Sequence, residues 1–229
     1  MTPRLALVLA AYLAVTYLVC GIPFGKIVAG KGAGVDIQKV GSGNIGTTNV
    51  ARSVGKGAAA LTLLLDAGKA YVCCALARPA LAALALGGDA GPLAFGGRLD
   101  WVLALVFACA LCGHVFSPYM RLRGGKGIAA GFGAALGLAW PVALGLLAVW
   151  LVVVVPTRIV SAASCAAAAS LPLWCYGALH PSGAFLAIVC AGALLVVWAH
   201  RSNLRKLARG EEARFAFHRR DDDREGPEA

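Results

Sequence analysis

Charge is what this sequence has least of. Only 14% of its 229 residues are Asp, Glu, Lys or Arg, against 59% hydrophobic residues and a mean hydropathy of +0.76. Ordinary soluble domains carry far more polar surface, so the chain is an integral membrane protein. Acidic residues are scarcer still, 11 against 21 Lys and Arg, for a formal net charge of +10. A basic balance can signal nucleic acid. Here the cations stand in the loops between apolar segments, which argues against that partner and for membrane orientation, anionic lipid and substrate phosphate.

Other features are missing too. Once spans of about 20 residues and their loops are laid out, no length remains for a separate soluble domain. The first apolar stretch, Leu5 to Phe24, follows a single Arg4 and lacks a convincing small-x-small cleavage site. It reads as a retained span rather than a signal peptide. The eight cysteines all lie within or at the edge of apolar stretches, so a disulfide framework is not expected. Cys109-x-x-Cys112 reads as small residues packing helices, not as a redox or metal pair.

What is present is a succession of charge-poor segments at about 4–25, 58–86, 99–116, 128–155, 159–179 and 183–199. Asp66 and Lys69 interrupt the second, at i and i+3 on one helical face, where they can pair. Two readings stand for them: a functional intramembrane pair, or a structural pair holding a neighbouring helix. The segment 128–155 is too long for one comfortable span and short for two, and Trp140-Pro141 marks a break. The basic residues decide. If 128–155 crosses twice, 17 of the 21 Lys and Arg fall on one face, as the positive-inside rule requires. The expectation is an all-α polytopic bundle of about seven transmembrane helices, the fourth short, with the N-terminus outside and the C-terminus cytoplasmic. Residues 1–212 form its single domain, and 213–229 a charged, disordered tail.

The loops of that face carry the chemistry. The first reads Gly41-Ser42-Gly43-Asn44-Ile45-Gly46-Thr47-Thr48-Asn49-Val50, then Arg52. Gly41-x-Gly43-x-x-Gly46 formally matches a dinucleotide fingerprint, but a Rossmann turn needs a parallel sheet and the flanks here are membrane helices. The loop is otherwise rich in backbone N–H groups, hydroxyls and carboxamides suited to oxyanions; a glycine turn with a helix cap is the plainer reading. The second, Gly113-His114 to Arg123-Gly124-Gly125-Lys126-Gly127, lacks the Ser or Thr after lysine that a Walker loop has. Glycines ahead of a helix still leave N–H groups to face an anion, with Lys126 supplying charge. His114 reads as a satisfied interfacial histidine rather than a base. Arg158 and Ser161 open another helix, and His200 and Asn203, at i and i+3, share a face. His218, five residues before Asp223, sits in a mixed charge run and reads as solvated tail.

Taken together, Gly41-Ser42-Gly43-Asn44-Ile45-Gly46-x-Thr48-Asn49, Gly113-His114 through Gly124-Gly125-Lys126-Gly127, the serines after Arg158 and His200-x-x-Asn203 resemble the bacterial acyl-phosphate:glycerol-3-phosphate acyltransferase family, from the first span to about Glu212. Departures are Gly21, Thr47 and Ala130, where other residues are usual. The resemblance implies transfer of a fatty acyl group from acyl phosphate to the 1-hydroxyl of glycerol 3-phosphate, giving lysophosphatidic acid and phosphate at the cytoplasmic face of the inner membrane. It implies Ser42, Asn49, Arg52, Lys126 and His200 as catalytic, and Thr48, Ser161 and Asn203 as substrate-binding. Chemistry adds Gly43, Asn44, Gly124, Gly125 and Gly127 as N–H or amide donors and Arg158 as a further cation. No metal or other cofactor is expected, and membrane lipid is the surrounding partner. The rival class is a transporter of an organic phosphate, favoured by Asp66 and Lys69. Against it, the polar motifs crowd one face and no second half repeats the first. A lipid-binding scaffold would explain neither loop.

Overall fold

The computed structural model describes residues 2–214, which form ten α-helices and no strand. The first is α1 (Pro3–Gly21), started by Pro3 and by Thr2, whose Oγ1 accepts from the Leu5 N–H at 3.2 Å. Pro23 has no N–H to give and ends it; α2 (Phe24–Ala33) follows at once. After a loop come α3 (Thr47–Ser53) and the 30-residue α4 (Lys56–Ala85). Then follow α5 (Trp101–Val115), α6 (Ile128–Leu138), α7 (Trp140–Thr157), α8 (Val160–Leu179), α9 (Gly183–Ala199) and α10 (Arg201–Ala208).

By length and composition five segments suffice to cross a membrane: Pro3–Ala33, Lys56–Ala85, Trp101–Met120, Trp140–Thr157 and Val160–Leu179. A sixth is α9 with α10, if that pair, bent by 57°, is one span. The remaining apolar helix, α6, has 11 residues. At about 1.5 Å per residue it covers roughly half of a 30 Å hydrocarbon core. It lies along the middle of α4, where Gly133 and Gly137 face the carbonyls of Ala67 and Tyr71 so closely that any Cβ would collide. Small residues of this kind let membrane helices pack backbone to backbone. The chain breaks at extended Ala139, with Pro141 already in the first turn of α7.

Polar contacts tell the two ends of the bundle apart. At one end Arg4 donates to the Leu84 carbonyl at 2.9 Å, and Asp100 accepts from the Ser182 N–H at 2.7 Å. At the other, Ser117 donates to the Gly21 carbonyl at 2.6 Å, and Lys126, Ser161, Asn203 and Glu212 are joined by hydrogen bonds. Lys126 precedes α6 and Ser161 opens α8, so 128–155 leaves this second end and comes back to it. Residue 2 and residue 214 therefore sit at opposite ends. The eight cysteines are free, and Cys109 donates to the Leu13 carbonyl at 3.2 Å, packing α5 on α1. Of the expected tail only Ala213 and Arg214 are described; His218 and Asp223 lie outside the described residues.

Candidate active site

One side chain holds the loop between α2 and α3. Asn49, only 3% exposed, donates through Nδ2 to the carbonyls of Ile37 and Val40 at 3.1 Å and of Asn44 at 2.9 Å. Its Oδ1 accepts from the Ser42 N–H at 2.9 Å. An amide has two N–H donors and a separate acceptor oxygen, where a hydroxyl has a single donor and an ionised carboxylate none. Asn49 is thus committed to shaping the loop, and the expected catalytic contact becomes a positioning role. Asn44 Oδ1 accepts from the Gly46 N–H at 2.8 Å and closes the turn into α3. Ser42 stays exposed, Gly43 takes a left-handed turn and Thr48 is half-buried beside it.

The glycine-lysine run also differs from expectation. The N–H groups of Gly124 and Gly125 donate to the carbonyls of Val115 at 2.9 Å and His114 at 3.0 Å, so they face the protein rather than an anion. Glycine is required because the chain folds tightly back on α5: a Cβ at Gly124 would strike the His114 carbonyl, and one at Gly125 the His114 ring. Gly127, left-handed at φ +87, then turns the backbone into α6. The unpaired N–H groups of this end belong to the first turn of α6, whose Ile128 and Ala129 line a cavity between the helices.

That cavity, of about 370 Å³, has a polar mouth and an apolar body. Asn44, Thr47, Asp66, His114, Lys126 and His200 border it, and Phe107, Leu111, Phe132, Leu146, Trp150 and Leu171 are among the side chains that continue it between the helices. Lys126 donates to Asn203 Oδ1. Asn203 Nδ2 and Ser161 Oγ both donate to Glu212, at 2.6 and 2.7 Å. Burial lowers the Lys126 ammonium below the usual lysine range; Glu212 opposes that shift, and Lys206 and Arg52 add to it. His200 is 3% exposed and its Nδ1–H donates to the Val196 carbonyl at 2.8 Å. Since a carbonyl only accepts, Nδ1 holds the proton and Nε2 keeps its lone pair. Burial is the main cause that pushes the imidazole below its ordinary pKa of 6.5, with Lys126 adding to it, so the ring is neutral at pH 7.

Deeper in the wall, Asp66 and Lys69 do pair, at 2.7 Å, and Lys69 Nζ also donates at 2.6 Å to the Ile22 carbonyl at the α1–α2 break, which accepts from the Phe24 N–H as well. His114 Nδ1 stands 3.8 Å from Asp66 Oδ1.

This geometry, a cation and a neutral histidine over an apolar cleft in a membrane bundle, has relatives. The model of the family described as glycerol-3-phosphate acyltransferase matches residues 10–210. The chain belongs to the glycerol-3-phosphate acyltransferase family. It is 44% identical over 199 residues to the glycerol-3-phosphate acyltransferase of Rubrobacter xylanophilus, covering 87% of this chain and 91% of that one. To that of Rhodopseudomonas palustris it is 40% identical over 207 residues, 90% and 95% of the two chains. The crystal structure of PlsY, an integral membrane glycerol 3-phosphate acyltransferase, in its glycerol 3-phosphate form superposes with a TM-score of 0.79 at 31% identity, over 91% of this chain and 96% of PlsY. The lysophosphatidic acid form of PlsY gives 0.77.

Within this acyltransferase bundle, Asn44, Lys126, Gly127 and His200 line the cavity, while Asn203 and Ser161 reach it through hydrogen bonds to Lys126 and Glu212. Arg52 is exposed, 3.4 Å from the Ala213 carbonyl, and lies close enough to lower the Lys126 pKa. Arg158 stays exposed as the left-handed cap of α7 and is not among the residues lining the cavity. The sequence reading missed Glu212, the common acceptor, because one carboxylate in a charged stretch carries no periodic signal. It also set His114 aside as an interfacial residue, whereas His114 is buried on the cavity wall.

Proposed function

We propose that this chain moves a fatty acyl group directly from acyl phosphate to the sn-1 hydroxyl of glycerol 3-phosphate, yielding lysophosphatidic acid and inorganic phosphate. The observation that carries the reading is the cavity itself, apolar between the helices and ending beneath Lys126 and His200. Its body suits an acyl chain, whose burial favours binding by about 0.8 kcal/mol per CH₂. Its mouth suits phosphate.

The substrate hydroxyl oxygen attacks the acyl carbonyl carbon, and the bond from that carbon to the phosphate oxygen breaks with its electron pair leaving on phosphate. The hydroxyl proton passes to His200 Nε2 or to a phosphate oxygen of the donor. An acyl phosphate is already activated, so no serine need be acylated; Ser161 donates to Glu212, not to a histidine. The chain's task is to bring the reactants together and offset their charge. Two like unit charges about 6 Å apart repel by roughly 3 kcal/mol at an effective dielectric near 20. Lys126, with Arg52 at the rim and the N-terminus of α6, counters that repulsion. Residues 1–212 act as one domain in the bacterial inner membrane, with the mouth in the cytoplasm and no metal or coenzyme in the reaction.

Phosphate release from palmitoyl phosphate by purified protein, without metal or coenzyme A, tests this. Release that requires glycerol 3-phosphate is expected. Release without acceptor, or equal use of an acyl thioester, would overturn the donor assignment.

A further inference from the structure

A second concavity opens beside the glycine-lysine loop and shares no lining residue with the first. It measures about 500 Å³ and is lined by Lys26, Gln38, Tyr119, Met120, Arg121 and Arg123. Three cations converge there and no carboxylate does. Among the described residues neither arginine makes an ion pair, and the Lys26 ammonium bonds only a neutral group, Gln38 Oε1, at 2.8 Å. Like charges gathered round one hollow repel each other unless an anion sits among them.

The turn that carries the arginines is firmly built. Ser117 anchors it to α1 through the Gly21 carbonyl, and the N–H groups of Met120 and Leu122 both donate to the Ser117 carbonyl, at 3.1 and 2.9 Å. Arg121 and Leu122 are left-handed, at φ 50 and 61, a conformation that costs non-glycine residues energy and persists only where surrounding contacts impose it. The result sends Arg121 outward beside two exposed apolar side chains, Tyr119 at 55% and Leu122 at 58%. Cations next to apolar surface, at the end of a membrane helix, match a headgroup with its chain better than a free ion.

We propose that Lys26, Arg121 and Arg123 hold the phosphate headgroup of an anionic membrane lipid, at a site separate from the catalytic cavity. The inference does not depend on which acyl donor the enzyme uses. It adds a phosphate site at the rim whose turn runs directly into Gly124–Lys126.

The test uses the full chain purified from mixed phosphatidylcholine and phosphatidylglycerol vesicles, with retained lipid counted by native mass spectrometry. Wild type retains phosphatidylglycerol selectively. At roughly fivefold per removed cation near a lipid surface, the K26Q/R121Q/R123Q variant loses that selectivity by about a hundredfold. Acyl transfer in neutral micelles persists in the same variant, which shows that it folds. A control with the same net charge, K31Q/K56Q/R209Q, removes three exposed cations elsewhere at this end of the bundle. Equal loss in the control would mean diffuse attraction only and overturn the site. Displacement of the lipid by excess inorganic phosphate as readily as by soluble phosphatidylglycerol would overturn the lipid assignment in favour of a free phosphate.

Discussion

Lys126 and His200 do different work at nearly the same place. Among the described residues no carboxylate contacts the Lys126 ammonium on the cavity wall directly, since Asn203 stands between it and Glu212. Replacing it with Ala should lower kcat by roughly 10²- to 10³-fold, the usual cost of one lost charge-stabilising donor, while thermal stability stays near wild type. Near-normal turnover would remove Lys126 from the mechanism. For His200 the sign follows from burial. A base works only when neutral, and the folded pKa lies below 6.5, so activity holds as pH falls to about neutral and drops only below the ordinary histidine range. If the pH profile has no such limb and His200→Asn keeps it unchanged, a donor phosphate oxygen takes the proton. The residue types of this site were legible in the sequence because cations and amides are rare in so apolar a chain, and the glycines that matter stand directly beside them. Their partners were not: Asn49 bonding three carbonyls, or Glu212 gathering Ser161 and Asn203, depends on loops meeting across more than the local spacing. Glu212→Ala should accordingly raise KM more than Lys126→Ala does, by unfastening Asn203, which steady-state kinetics will separate from a pure kcat effect.

The long helices were readable from hydropathy to within a few residues, and the break before α7 fell one residue ahead of Trp140-Pro141. Short polar helices were not. Within the stretch read as one loop, 26–57, lie most of α2 and all of α3, and α10 follows directly on α9; none has the apolar length that marks a span. Their placement depends on tertiary contacts, and the Asp66–Lys69 pair supplies one. Lys69, paired with Asp66 on the same helix, ties α4 to the Ile22 carbonyl at the α1–α2 break. Lys69→Met should therefore leave the buried Asp66 carboxylate without its cation, destabilising the protein by about 3–5 kcal/mol, seen as a fall in the detergent Tm. The double variant D66N/K69M removes both charges and should recover most of that loss. A double variant no more stable than the single would show that Lys69 acts on α1 and α2 alone, without Asp66.

At the scale of the molecule, both the catalytic mouth and the basic turn lie at the end of the bundle where 128–155 begins and finishes. That arrangement requires the short α6 to enter and α7 to return, which only the distribution of Lys and Arg, not hydropathy, pointed to in advance. It also places residue 2 opposite residue 214, so the faces of the membrane can be assigned by labelling. Cysteine introduced at Arg158 or Ser202 should react with an impermeant thiol reagent in inside-out vesicles and resist it in intact cells; cysteine at Thr2 or Asp89 should do the reverse. Arg158 is the informative position, because a single crossing of 128–155 would send it to the face of Thr2 while Lys126 stayed behind. Its labelling together with Thr2 would break apart Lys126, Ser161 and Asn203, whose hydrogen bonds to one another and to Glu212 demand a shared face, and with them the site.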